Sequence, residues 1–184
     1  IAVCVCTYKR PALLVRLLRS LNEQDLSGGL TFGVVIVDND PDASASQPVR
    51  DVAPELGFSV RYFHEPEPGI VAARNASVRN ADARLVAFID DDEFADPQWL
   101  ATHREALFRS DADAVLGPVY PHFENKPPRW LIKSRLCRRD EFATGTLITD
   151  YRKTRTGNVL IRKDALDAVE GPFSARFGGR VGGS

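Results

Sequence analysis

The 184-residue sequence begins at Ile1 without a methionine, has only three cysteines and three histidines, and carries no long apolar run. No stretch approaches the ~18 residues of a membrane-spanning helix. A charged leader followed by an apolar segment is also absent, so no signal peptide is visible. Both ends are expected to be cut: the first residue is not an initiator, and the glycine-rich tail Phe177–Ser184 stops abruptly. Neither G-x-x-x-x-G-K-[ST] nor G-x-G-x-x-G occurs, which excludes the two common glycine-rich phosphate loops. No Ser-His-Asp arrangement emerges from spacing. His64, His103 and His122 are scattered; His103 is expected on an exposed helix face, and His122 is a weak candidate to approach a metal. Cys4 and Cys6 project to one face of a strand, and with the distant Cys137 they make a poor zinc pattern. Core packing in a reducing compartment is the expectation for these thiols.

What is present is ordinary globular usage, with 43% hydrophobic and 27% charged residues, enough for one α/β domain with a full core. The formal net charge of −1 hides an asymmetry. Residues 1–123 hold 11 Lys and Arg against 18 Asp and Glu, whereas residues 124–184 hold 13 against 7. An acidic first part suits a cation site. A basic second part suits an anionic acceptor or lipid surface, although plain solvated charge accounts equally well for most of those side chains. Nucleic acid is not an expected partner.

The apolar pattern alternates strand and helix. Strands are predicted at Ile1–Cys6, Phe32–Val37, Phe58–Phe63, Leu85–Ile89, Ala114–Val119 and Val159–Ile161. Pro11 opens a helix with Leu13, Leu14, Leu17, Leu18 and Leu21 at helical spacing; Gly28-Gly29 ends it. Further helices are predicted over Val49–Leu56, Ile70–Asn80, Asp96 (as N-cap) to Arg109, and Lys163–Val169. Glu65–Gly69 reads as a turn, and residues 124–145, with Pro127-Pro128 and Trp130, as a loop or lid. Continuous apolar strands separated by helices imply a Rossmann-like, mostly parallel sheet with helices on both faces. Ligands of such sheets bind outside the carboxyl ends of the strands. Polar groups collect there: Thr7-Tyr8-Lys9-Arg10, Asp38-Asn39 and Asp90-Asp91-Asp92, with Arg74-Asn75 early in the following helix.

Three consecutive carboxylates after a buried strand raise one another's pKa unless a cation compensates. A hard divalent ion, Mn²⁺ or Mg²⁺, held by one or two carboxylates plus phosphate oxygens is the natural partner. Asp38, at a strand end, is placed to accept from a ribose or a base N–H. Arg74, near a helix start, suits a phosphate.

The segments Val5–Pro11, Val35–Asn39, Gly69–Asn75 and Phe88–Glu93, in this order and spacing, resemble family 2 glycosyltransferases of the GT-A fold, nearest to the bacterial exopolysaccharide (succinoglycan-type) members. Thr156–Leu160 is also similar to a segment of that family. The resemblance implies a nucleotide-sugar-binding part over residues 1–123 and an acceptor-side part of the same domain over 124–184. It implies nucleotide-sugar contacts from Thr7, Tyr8, Arg10, Asp38, Arg74, Asn75, Asp90 and Asp91. Asp92, with Asp90 assisting, would ligate Mn²⁺ or Mg²⁺ in the D-x-D position. The implied reaction moves a sugar, with inversion, from a donor such as a UDP-sugar to a saccharide or lipid-diphosphate-linked acceptor in polysaccharide synthesis, in the cytoplasm and peripherally at its membrane face. Inversion needs a carboxylate base. In the family that base follows a glycine-rich segment like Phe177–Ser184, so it is expected beyond Ser184. Asp167 and Glu170, in a short helix, are poor substitutes. A non-catalytic nucleotide-sugar-binding fragment is the alternative. A phospho-acceptor domain would need an acidic pair after the first strand, where Thr7-Tyr8-Lys9-Arg10 stands instead.

Overall fold

The computed structural model describes residues 1–134 and 141–174. Cys137 and the tail Phe177–Ser184 lie outside them. Among the described residues six strands form one sheet: β1 (Ala2–Thr7), β2 (Gly33–Asp38), β3 (Ser59–His64), β4 (Leu85–Phe88), β5 (Ala114–Leu116) and β6 (Val159–Arg162), in the spatial order β3-β2-β1-β4-β6-β5. β1 pairs in parallel with β2 and β4, and β2 with β3. β6 runs antiparallel to both of its neighbours. The sheet is therefore mostly parallel, as expected, with one reversed strand inserted between β4 and β5.

Alternation along the strands divides the core in two. Val3, Val5, Val34 and Ile36 face α1 (Pro11–Leu21), α2 (Ser46–Val52) and α4 (Trp99–Ser110). Leu14, Leu17, Leu18 and Leu21 are fully buried there; each such leucine stabilises by about 1.5–3 kcal/mol. Ala2, Cys4, Val35 and Val37 face α3 (Ile70–Arg79), whose Ala73 and Ala76 allow close approach to the sheet. Cys4 is buried and Cys6 partly so, both as free thiols on this second face. Burial pushes the Cys4 thiol up to about 12, so it packs as an inert apolar group.

Several local expectations shift. The helix expected at 49–56 starts earlier as α2 and ends in a 3₁₀ turn, Ala53–Glu55. Asp96 shapes the turn before α4 rather than capping it: its Oδ1 accepts from Gln98 N and its carbonyl from Trp99 N. His103 is buried, correcting its expected exposure. Trp99, His103 and Leu107, four apart, all lie on the inner face of α4. The loop expected over 124–145 contains a short helix, α5 (Arg129–Ser134), whose Trp130 is 64% exposed. The last helix, α6 (Lys163–Asp167), follows β6 directly. No helix among the described residues is long and apolar enough to cross a membrane.

Candidate active site

The chain adds β2 and β3 on one side of β1, then returns to place β4 on the other. At such a switch the loops leaving adjacent parallel strands diverge and open a crevice. The β1 and β4 loops meet there. Thr7 Oγ1 donates to Asp91 Oδ2 at 2.7 Å, both residues being buried. Lys9 takes a left-handed φ of 56°, uncommon for a side chain of its size, and turns the chain sharply into α1. Arg10 then reaches back, its Nη1 lying 2.9 Å from Asp92 Oδ2 and 3.5 Å from Asp91 Oδ1. From the other side, Arg74 of α3 comes to 3.5 Å from Asp90 Oδ1. Tyr8 stands exposed at the lip, beside Lys9 Nζ.

The three aspartates differ in environment. Asp91 is turned inward, and burial raises its pKa; the Thr7 hydroxyl and Arg10 oppose that shift, while Asp92 and Asp90 add to it. The side chains of Asp90 and Asp92 are half exposed, at 51% and 50%. Glu93 folds back so that its Oε2 accepts from Asp90 N at 3.3 Å. Burial first, then the Asp90 charge, pushes its carboxyl up to about 7. Gly157, just before β6, closes against this loop: a Cβ there would stand 3.0 Å from Asp90 Oδ2 and 3.1 Å from Glu93 Oε1. Asn158, at φ 59°, links three segments by accepting from Trp99 Nε1 at 2.7 Å and donating to Pro118 O at 2.5 Å.

Thr7, Arg10, Arg74, Asp90, Asp91 and Asp92 are thus brought together. Asp38 is not, although it pairs with Thr7 in the sheet register. It is fully buried: Oδ1 accepts from Asp40 N, and Oδ2 from Ala45 N and from the Tyr62 hydroxyl at 2.7 Å. Both of its oxygens thus take part in folding the loop after β2. Asn39 similarly pins the 65–69 turn, donating to Glu65 O and Glu67 O and accepting from Gly69 N. Asn75 lies next to Arg74 but commits its amide to the backbone of Phe173. His122 packs edge-on against Phe94, with ring centroids 4.9 Å apart. Among the described residues no three of His, Cys, Asp and Glu converge as a metal cage.

The residues that sequence reasoning missed are Phe173, Glu93 and Asn39. Asn39 and Glu93 carried a usable signal, their places in strand-end polar clusters; Phe173 carried none.

A mostly parallel α/β sheet with an acidic loop at its switch point is compatible with the GT-A class. Solved structures agree on that fold. The Staphylococcus aureus TarS fragment in complex with UDP-GlcNAc superimposes with a TM-score of 0.65 at 23% identity, over 91% of this chain and 46% of that one. The mannosyltransferase PcManGT from Pyrobaculum calidifontis, in complex with GDP-Man and Mn²⁺, gives 0.63 at 20% identity, over 91% and 45%. The chain belongs to glycosyl transferase family 2, whose family model matches residues 2–169. Among characterised relatives, the succinoglycan biosynthesis protein ExoM of Rhizobium meliloti (strain 1021) is 34% identical over 97% of this chain and 56% of its own length. ExoW of the same organism is 30% identical over 62% and 38%. The chain spans about half the length of the ExoM protein it matches.

Proposed function

We propose that this chain binds the donor of a metal-dependent, inverting glycosyltransferase that uses a nucleoside-diphosphate sugar, a UDP-sugar by preference. The observation that carries this reading is the pairing of half-exposed Asp90 and Asp92 with Arg74 and Arg10 at the mouth of the switch-point crevice. An exposed ion pair of the Arg10–Asp92 kind stabilises a fold by only about 0–1 kcal/mol. Both arginines are therefore available to turn toward phosphate oxygens when a donor arrives. The nucleotide-sugar complexes of TarS and PcManGT support the ligand class.

The donor set suits Mn²⁺ or Mg²⁺: hard carboxylate oxygens, exposed, beside a place for phosphate. Asp92 would hold the ion, with Asp90 assisting; when bound, the ion neutralises charge developing on the diphosphate leaving group. Asp91, locked by Thr7, holds the loop in shape. Tyr8 lies where a base or ribose would pass over the lip.

The acceptor reading is a saccharide or lipid-diphosphate-linked saccharide of exopolysaccharide synthesis, met at the cytoplasmic membrane face. The name of ExoM, a succinoglycan biosynthesis protein, supports the polysaccharide-synthesis part of this reading. The exposed surface around α5, where Trp130 and Ile132 alternate with Lys126, Arg129 and Lys133, supports the membrane-face part.

The test is calorimetric titration of UDP, GDP and dTDP with and without Mn²⁺, repeated for Asp92→Ala. Metal-dependent binding of one diphosphate that disappears in Asp92→Ala is expected. Unchanged metal-dependent binding in the variant would remove Asp92 from the site.

A further inference from the structure

We propose that Phe173, pinned by Asn75, is a positioning residue for Arg74 and thereby sets how tightly the diphosphate end of the donor is held. This rests on the donor-site reading above.

Arg74 is held from two sides. Its guanidinium carbon lies 5.8 Å from the centroid of the Phe173 ring, and its Nη2 lies 3.5 Å from Asp90 Oδ1. The ion pair alone is too long to fix a flexible side chain. The ring supplies the second wall: an aromatic face attracts a guanidinium and limits where it can turn.

The ring is itself well fixed. It meets Phe88 of β4 edge-on, at 5.4 Å between centroids and 78° between planes. Its backbone is clamped by one side chain. Asn75 Nδ2 donates to Phe173 O at 3.0 Å, and Asn75 Oδ1 accepts from Phe173 N at 3.0 Å. An amide that satisfies both polar groups of a single residue fixes orientation as well as distance. Aspartate would lose the donor, and an apolar side chain would lose both. Adjacent residues of α3 thus share the work: Asn75 places the ring, and the ring places Arg74.

A merely structural anchor would stabilise the end of the described chain without touching ligand affinity, so binding separates the two roles. UDP and UMP are titrated with Mn²⁺ into the full chain and into Phe173→Leu, Asn75→Asp, Arg74→Ala and the Phe173→Leu/Arg74→Ala double variant, each checked by thermal melting. Loss of a guanidinium–ring contact corresponds to about a 5-fold weakening. Phe173→Leu should weaken UDP by about that factor, leave UMP within about 2-fold, and add nothing once Arg74 is removed. Asn75→Asp should act in the same direction, and it carries the test if Phe173→Leu fails to fold. Phe173→Tyr, which keeps the ring face, should restore UDP affinity. Full additivity of the double variant, or a fall in melting temperature with UDP affinity unchanged, overturns the proposal. If the unaltered chain binds no nucleoside diphosphate, the donor-site reading falls together with this one. Intact binding with additive variants removes only the clamp.

Discussion

β2 and β4 flank β1 and run parallel to it, and each is followed by a run rich in aspartate. The two runs behave oppositely. Asp38 and Asp40 are buried, and the two Asp38 oxygens accept three hydrogen bonds from the protein itself. Asp90 and Asp92 are half exposed and pair with Arg74 and Arg10. Topological position alone does not make an acid a ligand. What separates the two is the supply of internal donors. A carboxylate saturated by its own loop is part of the scaffold, and one that faces exposed cations is available to exchange them.

The largest expected effect comes from the saturated side. Asp38→Ala strands two backbone amides and the Tyr62 hydroxyl, and should cost about 4 kcal/mol of unfolding free energy in urea. A change below about 0.5 kcal/mol would dissolve the contrast. On the open side, Asp92→Ala should leave the urea midpoint in place while weakening Mn²⁺-dependent UDP binding about 100-fold, or ~2.8 kcal/mol. A parallel loss of stability would put both aspartate runs in the same class. Thr7→Val lies between the two, because it removes a buried bond to a carboxylate worth about 2 kcal/mol. It should lower stability and UDP affinity together, which calorimetry alongside urea melts would show. Gly157→Ala brings a methyl against Asp90 and Glu93. It should weaken metal-dependent UDP binding by about 1 kcal/mol; unchanged affinity would mean that the acidic loop yields freely.

The smallest effect is a pH dependence away from the site. Burial holds the His103 pKa below its ordinary 6.5, with its Nδ1 facing the Trp99 carbonyl. The unfolded chain takes up a proton near 6.5 and the folded chain only at lower pH. The contribution is therefore complete above the unfolded value and lost as pH falls toward the folded one. Urea stability should drop between about pH 7.5 and about pH 5.5, and His103→Gln should flatten that slope; an equal slope in the variant would assign the loss to other groups.

The sheet was legible because its strands are continuous apolar runs and its polar groups gather at strand ends, as at Thr7 and Asp90. The insertion of β6 between β4 and β5 was not, since an antiparallel pairing of distant segments leaves no local pattern. His103 misled because a polar residue was assigned to solvent, although Trp99 and Leu107 set its face by spacing. The internal bonds of Asp38 were not legible, because a strand-end carboxylate looks the same whether its donors come from a ligand or from Ala45 and Tyr62. Phe173 had no signal, because its partner Asn75 lies 98 residues away in the chain.

The reversed strand has a consequence for synthesis. β1, β2 and β3 are contiguous early in the chain and can pair as they emerge, and β4 docks next to β1. The other edge of β4 then presents unpaired backbone groups beside Val86 and Phe88 until the ribosome delivers β6. Such an edge is a template for another nascent copy. A protein truncated before residue 159 should consequently be prone to self-association, and chaperone dependence should fall sharply once β6 has cleared the exit tunnel.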